Sequence, residues 1–319
     1  MKKTDVVALG ELLIDFTENG ISQYGNPVME ANPGGAVCNV LSMLTKLGKS
    51  TAFIGKVGND IFGRQLENAI KQVGIDGSGL VVDNSVNTTL AFVKTFEDGD
   101  RDFSFYRNPG ADMMLTEDDL NEDLIRNCRI FHYGSLSMTS SECERATFKA
   151  IDIARRSGAI ISFDPNLRQP LWDNLDHARQ EISKGIKACD ILKISDNEIR
   201  WFTGKDDFDE GINELRKQYT PKLITLSMGK DGSRVYYKDL RVEVPAFVRE
   251  DTIETTGAGD TFGACILNYV LDNGLDNLDE NDLKNMLLFA NAAASIVTTR
   301  KGALKVMPLR EEVEQLIRS

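Results

Sequence analysis

The sequence is poor in the residues that carry several common chemistries. It has two histidines, His132 in the apolar run "RIFHYGS" and His177 in a polar, helix-like run. That count argues against a histidine-based triad or a histidine-rich metal site. Its five cysteines, Cys38, Cys128, Cys143, Cys189 and Cys265, are scattered without a CxxC pair. They read as small reduced core residues rather than a zinc cluster or a redox motif. Positive charge is outnumbered: 37 Lys and Arg face 49 Asp and Glu, for a net −12. A nucleic-acid surface, which needs basic stripes, is not expected. No apolar run approaches the roughly 20 residues of a membrane span. Two lysines open the chain, but Asp5, Glu11 and Asp15 interrupt any signal-peptide core. The expected location is cytoplasmic.

What is present suits one large α/β unit. The 319 residues are 41% hydrophobic and 27% charged, ordinary for a globular chain. "VVALGELLI" reads as a strand followed by a glycine-rich turn and a helix. Val37, Val40, Leu41, Leu44 and Leu47 recur at helical spacing, and Gly48 follows as a stop. "TAFIGKVG" is a strand, and Phe62, Leu66, Ala69, Ile70 and Val73 make a second amphipathic face. Residues 88–107 differ, because "TTLAFVKTF" and "RDFSFYR" flank the turn signal "EDGD" and so form a hairpin. Beyond residue 117, "RIFHYGS", "AIISFDP", "ILKIS" and "KLITLSMG" alternate with helical stretches. Such alternation predicts a mostly parallel sheet with helices on both faces. Two antiparallel strands are expected near 233–237 and 242–248. The expected organisation is a single domain over 1–319 with a small β lid inserted as two segments, approximately 12–33 and 88–112.

Two motifs mislead. "GKS" at 48–50 looks like the end of a P-loop, but Met43 stands where that loop needs glycine. "GAGDTFG" has a dinucleotide-like spacing, but its third glycine falls one residue late, at Gly263, and no good strand precedes it. A nicotinamide oxidoreductase is therefore rejected.

The chemistry concentrates in "ETTGAGDTF", residues 254–262. Phe262, Ile266, Tyr269 and Val270 share one apolar face, so a helix begins near Asp260. Gly257, Ala258 and Gly259 then lie at or before its first turn. Small residues there let backbone amides approach an anion, and the helix dipole adds attraction. An amide-lined anion site beside one carboxylate suits phosphoryl transfer, although an N-cap aspartate alone has the same pattern.

"TTGAGDTF" resembles a signature of the ribokinase-like (phosphofructokinase B) carbohydrate kinases, and "PGGAVCNVLSMLTKLG" at 33–48 resembles their N-terminal signature. The resemblance runs from "LGELLIDF" to "TTRKGALKVMP", and "FSFYRNPGADMML", "FHYGSLS" and "FDPNLRQPLW" look like the fructokinase branch. It implies a three-layer sandwich with a mostly parallel central sheet and a small lid. It makes Asp260 the catalytic base, and Gly257, Ala258 and Gly259 an anion hole. Arg168 would reach the substrate or the moving phosphate. Asp15, Gly34, Gly35, Asn39, Phe105 and Arg107 match sugar-binding positions. Lys193, Ser195, Ser227, Gly229, Gly232 and Asn291 match ATP-site positions, together with Gly257 and Gly259. Glu198 matches a residue that organises Mg2+ through water. Glu254, Thr256 and Gly302 fall where relatives hold a monovalent cation such as K+, although Glu254 replaces the usual aspartate. "SDNE" at 195–198 and "SMG" at 227–229 also depart from the common pattern.

The resemblance implies an ATP-dependent kinase acting on the 6-hydroxyl of D-fructose. The runner-up is a 2-keto-3-deoxygluconate kinase or another sugar kinase of this fold, and the rival class is an inactive sugar-binding regulator. A homodimer paired through the β lids is also implied.

Overall fold

The computed structural model describes residues 4–95 and 101–319 of the chain. Thirteen strands among them form two sheets. The large sheet contains β1 (Thr4–Leu9), β4 (Thr51–Gly58), β5 (Asp76–Asp83), β8 (Cys128–Gly134), β9 (Ile160–Asp164), β10 (Ile191–Ser195), β11 (Leu223–Ser227), β12 (Ser233–Tyr237) and β13 (Leu240–Val244). Their spatial order is β13-β12-β11-β10-β9-β8-β1-β4-β5, and every neighbouring pair is parallel except β11–β12 and β12–β13, so that β12 alone runs against the rest. The small sheet is β3-β2-β6-β7, from β2 (Leu13–Ile21), β3 (Pro27–Gly34), β6 (Leu90–Thr95) and β7 (Arg101–Tyr106).

Ten α-helices accompany them: α1 (Ala36–Lys46), α2 (Ile61–Gln72), α3 (Glu122–Arg126), α4 (Ser141–Arg156), α5 (Leu175–Ala188), α6 (Asp196–Thr203), α7 (Phe208–Arg216), α8 (Ala258–Asn273), α9 (Glu280–Val297) and α10 (Arg310–Arg318). The large sheet is covered on both faces, and the alternation within β1 shows why. Val6 and Ala8 join one core with α1, α2, α8, α9 and α10, whereas Val7 and Leu9 join a second core with α3 to α7. Successive side chains of a strand point to opposite faces, so a doubly covered strand must be apolar throughout. Each buried Leu, Ile or Phe contributes about 1.5–3 kcal/mol.

Three expectations need correction. "VVALGELLI" is not one strand. It breaks at 10–12, leaving β1 in the large sheet and sending β2 into the small one. The second of the two late strands ends at Val244, because Pro245 has no N–H with which to continue the ladder. β5 was missed, since its "DGSG" opening reads as turn rather than strand. The hairpin strands β6 and β7 do pair antiparallel, Ala91 opposite Phe105. Their predicted turn, "EDGD" at 97–100, lies outside the described residues.

The chain reverses direction across the sheet at β1. It moves one way to β4 and β5, then returns to β8 on the other side. Crevices in such sheets open beyond the carboxyl ends of strands at this switch point. The small sheet stands over that end, joined directly to β1 through 10–12.

Candidate active site

The site is assembled from strand ends and two helix N-termini. α1 packs against α8, and both begin at glycine, Gly35 and Gly257. Neither glycine has a side chain with which to cap its helix. At α1 the missing cap is supplied from outside, because Glu11 Oε1 accepts the Ala36 N–H at 2.6 Å. Gly257 has φ 77°, and a Cβ there would lie 2.7 Å from the Ala303 Cβ. The turn into α8 therefore requires glycine for both conformation and space.

Asp260, in the first turn of α8, is gripped by Asn39 of α1, whose Nδ2 donates to Oδ2 at 2.8 Å. Burial raises the proton affinity of the Asp260 carboxyl, opposed by that hydrogen bond and by Lys193 and Arg168. Lys193, in the middle of β10, pairs with Asp164 of β9 at 3.0 Å. A Cβ on Gly259 would come within 3.2 Å of its Nζ, which sets the ammonium beside the amides of α8. Burial works to lower the Lys193 pKa, but Asp164, Glu198 and Asp260 hold it above the ordinary value.

These groups line a cavity of about 230 Å³. Asp15, Gly35, Asn39, Phe105, Arg168, Lys193, Glu254, Thr256, Gly257, Gly259, Asp260 and Gly302 all reach it. The small sheet contributes one face. Leu13, Asp15 and Thr17 alternate toward the cavity along β2, with Asn32 of β3 opposite Asp15, and Val93 and Phe105 further along. The Asp15 carboxylate receives no hydrogen bond from the described residues. Burial pushes its pKa up to about 7, with Arg168 pulling it down and Glu254 and Asp260 pushing further. The buried Asn39 Oδ1 also lacks a partner.

A second cavity, about 330 Å³, is lined by Ser227, Gly229, Gly232, Ala246, Phe247, Val248, Ala258, Phe262, Asn291 and Ala294, among others. Thr255 and Gly259 line both cavities, so the two meet at the start of α8.

Several expected residues have duties other than those foreseen. Arg107 does not line the first cavity. Its Nε and Nη2 form a two-point pair with Asp112, and its other bonds go to Thr139 Oγ1 and Leu136 O. A buried guanidinium needs its charge and donors satisfied, and Asp112 is the local solution. Gly34 does not line the cavity either; a Cβ there would lie 2.1 Å from Asp15 Oδ2, so Gly34 makes room for that carboxylate. Ser195 and Glu198 stand outside both cavities as a reciprocal cap of α6, and Glu198 Oε1 also accepts the Leu167 N–H at 2.7 Å. Asn291 lines the second cavity, but its amide is spent on Val244 O, Pro245 O and Ser233 Oγ. The Ala258 N–H already donates to Thr255 O at 3.3 Å. Glu254 Oε1 accepts the Gly302 N–H at 2.8 Å.

The sequence reading missed Glu11, Thr17, Asn32, Asp164 and Asn166. Glu11 carried one signal, a lone acid in an apolar run, which a strand would have to bury.

A family model described as "pfkB family carbohydrate kinase" matches residues 3–310, and the chain belongs to that family. Among curated relatives, Fructokinase-1 of Zea mays is 41% identical over 314 residues, 98% of this chain and 97% of the relative. Among solved structures, a fructokinase from Xylella fastidiosa with bound ATP superposes with a TM-score of 0.90 at 30% identity, covering 100% of this chain and 99% of that one. A putative ribokinase II from E. coli, in complex with ATP and Mg+2, gives 0.86 at 27% identity, covering 99% of each chain.

Proposed function

We propose that this protein is an ATP-dependent fructokinase, transferring the γ-phosphoryl group of ATP to the 6-hydroxyl of D-fructose. The observation that carries this reading is the pair of unpartnered acceptors in the polar cavity, the Asp15 carboxylate and Asn39 Oδ1. Recessed acceptors without donors are costly, and a polyhydroxylated ligand supplies what they lack. The apolar second cavity suits a nucleobase, and the junction at Gly259 suits the triphosphate between them.

Asp260 is the base. Asn39 holds Oδ2, so Oδ1 faces the incoming hydroxyl. Its raised proton affinity strengthens it as an acceptor, while Lys193, Arg168 and Asn39 limit the rise. The sugar oxygen forms a bond to the γ-phosphorus as the bond to the β,γ-bridging oxygen breaks. The hydroxyl proton passes to Asp260, and ADP leaves with the electron pair. The free amides at the start of α8, with Lys193 and Arg168, take up charge on the moving group.

No cluster of three or more His, Cys, Asp or Glu side chains among the described residues offers a metal cage. That fits a Mg2+ carried on the triphosphate and keeping its waters, with Asp164 and Glu198 as the nearby carboxylates. Bound there, the ion would neutralise charge on the β- and γ-phosphates.

The small sheet serves as the lid over the sugar. On its face away from the cavity, Phe16 stacks on Phe92 at 4.8 Å and packs edge-on against Phe62 of α2, while Tyr106 is left 67% exposed. That face suits pairing with a second copy, which light scattering would read as a doubled mass. The five cysteines, all among the described residues, are buried and joined by no disulfide, in keeping with a reducing cytoplasmic location. No helix of the described residues is long and apolar enough to cross a membrane.

Arg107 decides between substrates. A sugar acid needs a cation for its carboxylate, and Arg107 is committed to Asp112. The test is coupled ADP release with fructose, other ketoses and 2-keto-3-deoxygluconate under saturating magnesium-ATP. Fructose is expected to give the highest kcat/KM. A higher value for the sugar acid overturns the assignment.

A further inference from the structure

Two non-glycine residues of the described chain have a left-handed backbone, Asn166 with φ 41° and Lys238 with φ 51°. Lys238 needs no special account, because it sits in the tight turn joining β12 to β13. Asn166 lies in no hairpin. It follows β9 directly and lines the polar cavity. Non-glycine residues pay for this conformation, and such strain persists only where the surroundings enforce it.

The surroundings here do enforce it. The Asn166 N–H donates to Asp164 Oδ1 at 3.1 Å. Pro165 O accepts the Ser135 N–H at 3.3 Å, and the Leu167 N–H donates to Glu198 Oε1 at 2.7 Å. Three consecutive residues are thus tied to three different elements. The side-chain amide itself makes no hydrogen bond with the described residues. A held backbone and an unengaged amide facing a cavity mark a group kept for a ligand.

Its position selects the ligand atom. Asp164, two residues earlier, pairs with Lys193, whose ammonium lies beside Gly259 where the two cavities meet. Arg168, two residues later, also lines the polar cavity. Asn166 therefore belongs to the crossing point rather than to the Asp15–Asn32 end. Phosphoryl oxygens are acceptors, and an amide NH2 is a neutral donor. It stabilises their charge without altering the field that tunes Asp260.

We propose that the Asn166 amide donates a hydrogen bond to the transferring phosphoryl group, making Asn166 a catalytic residue; the inference rests on the kinase reading above. Asn166→Gly separates the side chain from the backbone, because glycine adopts this φ without strain. The expected result is a kcat lower by about a hundredfold, the scale of one lost donor at a developing charge. KM for sugar and ATP should stay within about threefold. Asn166→Asp keeps the size but not the donor and should lose at least as much. A kcat for Asn166→Gly within about threefold of wild type overturns the inference, and so does a loss confined to the sugar KM. Both variants are measured on whichever sugar the wild type phosphorylates. A wild type that phosphorylates none overturns the kinase reading and this inference together. An active wild type with an unimpaired glycine variant overturns this inference alone.

Discussion

The polar cavity under the small sheet and the apolar cavity beyond Gly259 share two residues but treat their polar atoms differently. In the apolar cavity the scaffold is satisfied from within. Asn291 bonds two carbonyls and a serine, and Ser295 bonds Phe247 O. In the polar cavity Asp15 and Asn39 Oδ1 are left waiting. Under the proposed function, the difference teaches how recognition would be divided. A flat heterocycle is held by shape and area, so its pocket needs few unsatisfied groups. A sugar differs from water chiefly in where its hydroxyls point, so its pocket must hold acceptors that water serves poorly.

The largest break in this comparison comes at the junction. Asp260→Asn keeps size and the contact with Asn39 but removes the proton acceptor. We expect kcat to fall by about a hundred- to ten-thousand-fold, with both ligands bound within a few-fold, as calorimetry with a non-hydrolysable ATP analogue would report. Near-normal turnover would leave Asp260 only the structural role of accepting the Asn39 amide between α8 and α1.

A smaller effect separates the two cavities. Asp15→Asn removes the unsatisfied charge on one side only. The KM for fructose should rise at least about tenfold while that for ATP barely moves, since one charge-assisted bond contributes roughly 1.5–3 kcal/mol. Stability should move the other way. In the free protein the Asp15 pKa is raised from 3.8 to about 7. Between about pH 4 and 7 the folded state thus binds more protons than the unfolded one. Wild-type stability falls across that window as pH rises, because burying the ionised form costs energy. Glu11 and Asp164, raised by burial to about 7 and about 6, act in the same direction, so the comparison must be variant against wild type. The variant should have the higher Tm at pH 8, with its advantage vanishing near pH 4. A pH-independent difference would mean that the Asp15 pKa is the same in the folded and unfolded states.

The smallest effect tests the loop between the cavities. Glu254 already bridges to the Gly302 amide, joining by a direct bond the two segments that a monovalent cation would otherwise link. Potassium and sodium at matched ionic strength should therefore give rates within about twofold. A larger potassium stimulation would show that Glu254 shares its carboxylate with an ion.

Much of this molecule could be read from local pattern. Helical spacing from Val37 to Leu47 and from Phe62 to Val73 marked α1 and α2, since an amphipathic period is a property of the segment itself. The Gly-Ala-Gly-Asp run marked the start of α8 for the same reason: small residues and a carboxylate at a helix start have local meaning. Three-dimensional packing decided the rest. Whether Arg107 faces a substrate or Asp112 depends on which partner lies within reach once burial demands one. Whether "VVALGELLI" makes one strand or two depends on a second sheet that only β3 and β6 complete. The Asp15 carboxylate is available for the proposed binding role because Gly34 leaves it room. Side-chain type and period act along the chain and are visible there, whereas hydrogen-bond satisfaction is settled among residues far apart in sequence, and only the fold brings them together.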